Sequence, residues 1–388
     1  MKKAKLFICH HPGGLLLYKN FTRILRKYDK NSKIILFKVN HPYFLKFNFS
    51  PFRKYFDEII EFDFIDYKKN FFLGYWEIFK FQKKFKRVTI NLLRSFERID
   101  LFLETSAWLP INILLYNLSK EKNIKNIIRL TGSESSSTRV QMKTDKLKTL
   151  LCALYSLPFK AYRIKLLTTP GRTSSDFVYR DNVPGTEVQL VSPIAYKKKE
   201  NTLPYPVILK NSLTVKKDMV IIFGDGNLYH SASEYLPDYQ TYAQKLKTLF
   251  KAIENKYLDC KLYYKPHPGD RGQLMPGINP QRYKLFDNTT NAQTLLDIYH
   301  HKIKAVYTFS SSSITYSSFF GIPAYTFYRY LSNPAGIERL NSYFLSQNNK
   351  FIFHLSKLKE IGKIDNINPS ISFDFNNFIE SYKKILKI

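Results

Sequence analysis

Cysteine is nearly absent. Cys9, Cys152 and Cys260 are the three in 388 residues, widely spaced and in no paired pattern, which excludes a disulfide scaffold and fits a reducing interior. Long apolar runs are missing too. The most apolar window, Leu101 to Leu118, is interrupted by Glu104 and Pro110, whereas a bilayer demands about 20 apolar residues in a row. The N-terminus MKKAKLFICHHPGG starts basic but holds too few apolar residues before its paired histidines for a signal peptide, and reads as a first strand. The chain is therefore expected to stay in the cytoplasm. No Walker loop, Rossmann GxGxxG, zinc-ligand spacing or GxSxG elbow occurs. Nor is there an Asp-x-Asp pair, which leaves a metal-dependent nucleotide-sugar site unsupported.

Carboxylates are scarce as well: 31 Asp and Glu face 61 Lys and Arg, a formal charge of +30. An AT-rich coding sequence alone yields many Lys, Asn, Ile, Phe and Tyr, yet the field is real and draws in anions. Nucleic acid, an anionic membrane face, a nucleotide-linked donor and a polyanionic glycan are the candidate partners. Nucleic acid is disfavoured, because the basic residues are dispersed and no helix-turn-helix, RRM or zinc-finger signature is present. With 44% hydrophobic and 16% aromatic residues, and only 14 glycines, the chain has ample side chain to bury and is not disordered or low in complexity. Its length suits two domains of ordinary size.

Short β-rich runs alternate with helical ones. Strands are predicted at Lys5–Cys9, Lys33–Val39, Glu58–Phe62, Asp100–Leu103 and Asn126–Leu130, with helices at Leu15–Tyr28 and Leu109–Lys122. The theme returns with strands at Asp218–Phe223, Lys261–Lys265, Tyr283–Phe286, Ala305–Phe309 and Pro323–Phe327 and helices near Tyr239–Asn255, Ala292–His300 and Ile314–Phe320. Such alternation predicts an α/β fold of two Rossmann-like domains, 1–191 and 218–388, joined by a polar, proline-bearing linker at 192–217. The C-terminal stripe Phe375, Phe378, Ile379, Tyr382, Ile385 and Leu386 reads as a helix packed on the second domain, with a lipid-facing helix as the alternative. A better membrane-surface candidate is the helix Phe71–Arg87, where Phe72, Tyr75, Trp76 and Phe79 share one face and a run of lysines follows.

Ligands of open α/β sheets bind beyond the carboxyl ends of strands, and four groups sit there. Lys265-Pro266-His267-Pro268-Gly269-Asp270 follows a strand, and its prolines restrict the backbone around an imidazole able to donate to a phosphate oxygen. His11-Pro12 and His41-Pro42 also occur, so the position after a strand is what singles out His267. Ser310, Ser311, Ser312 and Ser313 join a strand to a helix, where hydroxyls and free amides suit an anion; ordinary N-capping needs only one serine. Gly224, Asp225, Gly226 and Asn227 form a loop that lets backbone approach a ligand, with Asp225 either a cleft carboxylate or a turn residue. Thr131 to Ser137 carries Glu134, a solvated loop residue or a general base in the first domain.

Lys265-Pro266-His267-Pro268 followed about 43 residues later by the serine stretch, in a basic chain of two Rossmann-like halves, resembles the bacterial GT-B sialyltransferases of lipooligosaccharide and capsule synthesis. The same pair also resembles Kdo transferases and the CDP-glycerol polymerases of teichoic acid synthesis. The family's acidic D/E-D/E-G motif matches poorly: this chain has Gly132-Ser133-Glu134-Ser135 at that place. The resemblance implies a GT-B fold facing across a cleft and an inverting transfer from a CMP-activated sugar without a metal or other cofactor. Glu134 or Asp225 would be the base, and His267 the donor to the departing phosphate. Gly224, Gly226, Asn227, Lys265, Pro268 and the serines Ser310 to Ser313 would hold the nucleotide. The implied acceptor is an anionic glycan or glycolipid, met at the inner face of the cytoplasmic membrane; a homodimer is compatible with this reading. A polyol-phosphate transferase using a CDP-linked donor is the alternative.

Overall fold

The computed structural model describes residues 3–9, 12–40, 44, 47–63, 71–104, 126–132, 165–167, 176–178, 186–191, 201–206, 216–267, 270, 273–287, 289–311, 313–344, 352–363 and 374–386. The first half runs β1 (Lys3–Cys9), α1 (Gly13–Tyr28), β2 (Lys33–Asn40), α2 (Ser50–Arg53), β3 (Glu58–Asp63), α3 (Phe71–Arg94), β4 (Arg98–Glu104) and β5 (Asn126–Gly132). A short antiparallel pair, β6 (Lys165–Leu167) and β7 (Asp176–Val178), precedes β8 (Thr186–Val191) and β9 (Thr202–Pro204). The second half begins β10 (Met219–Phe223), α4 (Leu228–Ala232), α5 (Tyr239–Lys256), β11 (Lys261–Lys265), β12 (Lys284–Leu285), α6 (Ala292–Tyr299) and β13 (Ile303–Thr308). It ends α7 (Ser313–Phe319), β14 (Ala324–Thr326), α8 (Tyr328–Leu331), α9 (Pro334–Phe344), β15 (Ile352–His354) and α10 (Phe375–Leu386).

Two parallel sheets result, ordered β3-β2-β1-β4-β5-β8-β9 and β12-β11-β10-β13-β14-β15. Their central strands are apolar on both faces, as parallel strands covered by helices must be: every residue of Met219–Phe223 is buried, and so are Leu6 to Cys9 and Ile34 to Phe37. Helix starts are fixed locally, with Asp238 accepting from the Thr241 N–H (3.0 Å) and Asn291 from the Thr294 N–H (2.7 Å). The sequence order reverses direction between β1 and β4 in one sheet and between β10 and β13 in the other. These are the switch points where loops diverge and leave a crevice at the carboxyl edge.

The two carboxyl edges face each other. The Asn291 amide donates to Pro12 O (2.7 Å), Lys19 pairs with Asp297 (2.6 Å), and the Asn48 N–H donates to Thr289 O (3.3 Å). Pro12 follows β1 and Asn48 follows β2, while Thr289 and Asn291 follow β12, so two of the contacts join loops that leave strand ends, and the third joins α1 to α6. This is the arrangement of two Rossmann-like domains that the sequence predicts.

Two expectations change. The stretch 192–217 read as a linker contributes β9 to the first sheet, and Tyr205 beyond it stacks on Phe319 of α7 (ring centroids 4.3 Å). The C-terminal helix α10, assigned to the second domain, instead covers the first sheet. Phe378 packs edge-on to Phe21 (5.2 Å), and Tyr382 is stacked with Phe102 (6.4 Å). Phe378, Ile379, Tyr382 and Leu386 of its apolar stripe are thereby buried and Phe375 and Ile385 half-buried against the core, which removes the lipid-facing alternative, while Lys383 and Lys384 stay exposed. The helix read at Phe71–Arg87 is α3, but its aromatic side chains Phe72, Tyr75, Trp76 and Phe79 lie outside the described residues, as does the segment Leu109–Lys122. No helix among the described residues is long and apolar enough to cross a membrane.

Candidate active site at the carboxyl edge of the second sheet

β10 is flanked by β11 on one side and β13 on the other. The loop 224–227 therefore leaves the sheet between the loop carrying His267 and the loop carrying the serines. Strands lie about 4.8 Å apart, so the two outer loops start about 10 Å from each other across β10.

The first two loops are bound together by a residue that sequence reasoning passed over. Asp270 is 1% exposed, and its carboxylate accepts the His267 N–H (2.8 Å) on one oxygen and the Asn227 N–H (3.3 Å) on the other. Its own N–H donates to His267 O (3.0 Å), closing a tight turn. The turn presents His267 at the surface with its backbone fixed from two sides. A buried carboxylate taking two amide N–H groups is a strong, short-range tie, because a carboxylate held out of water must find its donors within the protein. The only written signal for it is an aspartate three residues after His267.

Glycine is required here for packing. A Cβ on Gly224 would lie 1.9 Å from the buried Tyr264 hydroxyl, and one on Gly226 would lie 2.2 Å from the Gln273 carbonyl oxygen. The space beside both glycines is thus filled by protein, and their role is to let the loops after β10 and β11 close on each other. Asp225 stands half-buried between them, and its carbonyl accepts the Leu228 N–H (3.1 Å) as α4 begins.

Lys265 ends β11 and is 3% exposed, with its ammonium donating to Pro266 O (2.9 Å). Burial pushes its pKa down to about 8 against the opposing pull of Asp287 and Asp270. The unfolded chain holds that proton up to about pH 10.4, so between pH 8 and 10 the unfolded state binds more protons and the fold gains stability as pH rises. Below pH 8 the fold carries the cost of a desolvated charge, on the order of 3 kcal/mol. Lys265→Met removes it: its melting temperature should exceed wild type most at pH 7, with the gap narrowing steadily to pH 10. A gap constant over that range would mean Lys265 is not desolvated.

Across β10, the serines divide. The Ser311 hydroxyl accepts from the Ser313 N–H (3.3 Å) and the Ser313 hydroxyl (2.9 Å), and the Ser311 N–H donates to Thr308 Oγ1 (3.2 Å). Ser311 is thus occupied by the first residue of α7. Ser310 is half-buried and its hydroxyl makes no hydrogen bond among the described residues, which leaves it available to a ligand. Ser312, Pro268 and Glu134 lie outside the described residues. Of the sequence-predicted residues, Gly224, Asp225, Gly226, Asn227, Lys265 and His267 are brought to one place; Ser310, Ser311 and Ser313 lie one strand beyond.

No family model matches the chain, and no curated protein matches it. Solved structures do overlay on it. The glycosyltransferase SnogD from Streptomyces nogalater aligns at 12% identity over 100% of this chain and 95% of its own, with a TM-score of 0.44. The E. coli ADP-heptose LPS heptosyltransferase II aligns at 12% over 100% and 99%, with a TM-score of 0.40. A Listeria monocytogenes structure described as a UDP-N-acetylglucosamine 2-epimerase aligns at 12% over 99% and 96%, with a TM-score of 0.46. At these values the overlays do not carry an activity from those proteins to this one.

Proposed function

We propose that the chain is an inverting, metal-independent glycosyltransferase that moves a sugar, sialic acid first among the candidates, from a CMP-activated donor to a surface glycan. The observation that supports this most is the placement of the His267 turn and Ser310 on strands flanking β10. They rise from strand ends about 10 Å apart, on either side of the loop 224–227, and belong to the two stretches on which the sialyltransferase resemblance rests. In this reading the donor's phosphate lies over the loop 224–227. The acceptor hydroxyl attacks the anomeric carbon from the face opposite the CMP oxygen. As the carbon–oxygen bond to CMP breaks, negative charge grows on the leaving phosphate. The His267 imidazole and the Ser310 hydroxyl donate to it, and the Lys265 ammonium adds its field from within the strand end. The acceptor's proton passes to a carboxylate, Asp225 in this loop or Glu134 after β5. A formal charge of +30 favours an anionic acceptor such as a lipooligosaccharide or capsular chain held at the inner face of the cytoplasmic membrane.

The test is incubation with CMP-sialic acid and a lipooligosaccharide acceptor in excess EDTA, following CMP release and acceptor mass together. One CMP per added sugar, unaffected by EDTA, is the expected result. Release that stops in EDTA overturns the metal-independent scheme. Turnover of CDP-glycerol in its place overturns sugar transfer in favour of phosphoryl-polyol transfer.

A further inference from the structure

Arg329 lies in α8, three residues beyond the end of β14, and is half-buried. Its Nε donates to the Tyr328 hydroxyl (3.1 Å) and to Asn341 Oδ1 (3.0 Å), and Nη2 donates to the same oxygen (2.8 Å). The Tyr328 hydroxyl donates to Asn341 Oδ1 as well (2.7 Å). With its oxygen saturated by donors, the Asn341 carboxamide turns its NH2 group away from all of them. Neither that nitrogen nor Arg329 Nη1 has an acceptor among the described residues, and no carboxylate pairs with Arg329 among them. Glu338, one turn earlier on α9, is exposed and makes no ion pair with it.

Among the described residues, the surroundings add no negative charge. His354, beside Arg329, accepts or donates at Thr326 Oγ1 (2.7 Å) through Nδ1. Burial and then the Arg329 charge push its pKa down to about 4, so it is neutral at pH 7. The next residue, Tyr330, takes a second cation at its carbonyl, the Lys245 ammonium at 3.2 Å. A half-buried guanidinium with open donors and no counter-charge among the described residues is complementary to an oxyanion. A forked guanidinium beside an amide fits the two oxygens of a carboxylate. β14 pairs with β13, and the Phe327 N–H bonds Thr308 O (3.0 Å), so Arg329 stands one strand along the same edge from Ser310. That step of about 5 Å is where a sugar attached to the bound phosphate would lie.

We propose that Arg329 and Asn341 form a subsite for the carboxylate of the donor's sugar, an inference that rests on the CMP-sugar reading and narrows it to acidic sugars. Calorimetric titration of wild type, Arg329→Gln, Arg329→Lys and Asn341→Ala with CMP, CMP-sialic acid and its carboxylate methyl ester tests it. Wild type should bind CMP-sialic acid about tenfold more tightly than the ester, as a lost charge-assisted fork would give. Arg329→Gln should erase that preference while its affinity for CMP stays unchanged, and Arg329→Lys should keep only part of it. A preference that survives in Arg329→Gln, with CMP still bound, overturns the subsite and leaves the CMP reading standing. Failure of wild type to bind CMP or either donor overturns both. Should the glutamine variant melt before titration, Arg329→Lys and Asn341→Ala decide by the same ratio.

Discussion

Alanine in place of His267 is expected to slow CMP-sugar turnover about 10²- to 10⁴-fold, the range a positioned proton donor contributes. The loss should fall on kcat, with KM nearly unchanged, because the imidazole is asked to meet charge that appears only as CMP departs. The fold should be indifferent. His267 is exposed, and the bonds that hold its turn, His267 N–H to Asp270 and Asp270 N–H to His267 O, are made by backbone atoms that alanine keeps. An unchanged melting temperature alongside the lost rate is therefore part of the prediction. Wild-type turnover in His267→Ala would remove this residue from the mechanism. The base is separated by the same assay: Glu134→Gln and Asp225→Asn should differ, and equal mild effects from both would place it elsewhere.

Asp270→Asn should lower both stability and rate, the second large effect. The asparagine amide offers one acceptor where two N–H groups now bond, and turns an NH2 toward the other. A buried donor left unmet costs about 1–3 kcal/mol, read as a fall in melting temperature. The rate should drop by about 10²-fold because the His267 turn is no longer fixed against the loop 224–227. What distinguishes positioning from mere support is the double variant. In the His267→Ala background, Asp270→Asn should still lower the melting temperature but cost little further rate, since the group it places is already gone. A full, additive rate loss in that background would mean that Asp270 acts by another route.

Much of this edge is legible in the linear chain. β10 is a short apolar run buried on both faces, and β10, β11 and β13 are each followed within two residues by Gly, Pro or Ser, so the strand and its functional loop are written together. β9 and β15 are three residues each and carry no periodicity, and Pro204 made the former read as connector. The return of α10 to the first sheet depends on Phe21 and Phe102, far away in sequence, and no local pattern encodes it. Asp270 was visible as a turn letter but its burial was not. Arg329 and Asn341 sit on different helices and meet where the Arg329 guanidinium and the Tyr328 hydroxyl both donate to the Asn341 carboxamide oxygen. The serine stretch shows the converse: its letters suggest four equal anion ligands, whereas Ser311 and Ser313 bond each other and Ser310 alone of the described three is left open.

Melting curves against CMP, CDP, UMP, UDP and GDP show whether this edge binds a cytidine monophosphate leaving group. A ligand that binds only the folded chain stabilises it by about 2.7 kcal/mol at a hundred times its Kd. A rise in melting temperature with CMP that exceeds the response to UMP, UDP and GDP is the expected result. Stabilisation by UDP or GDP instead, or by none of the five, would contradict it.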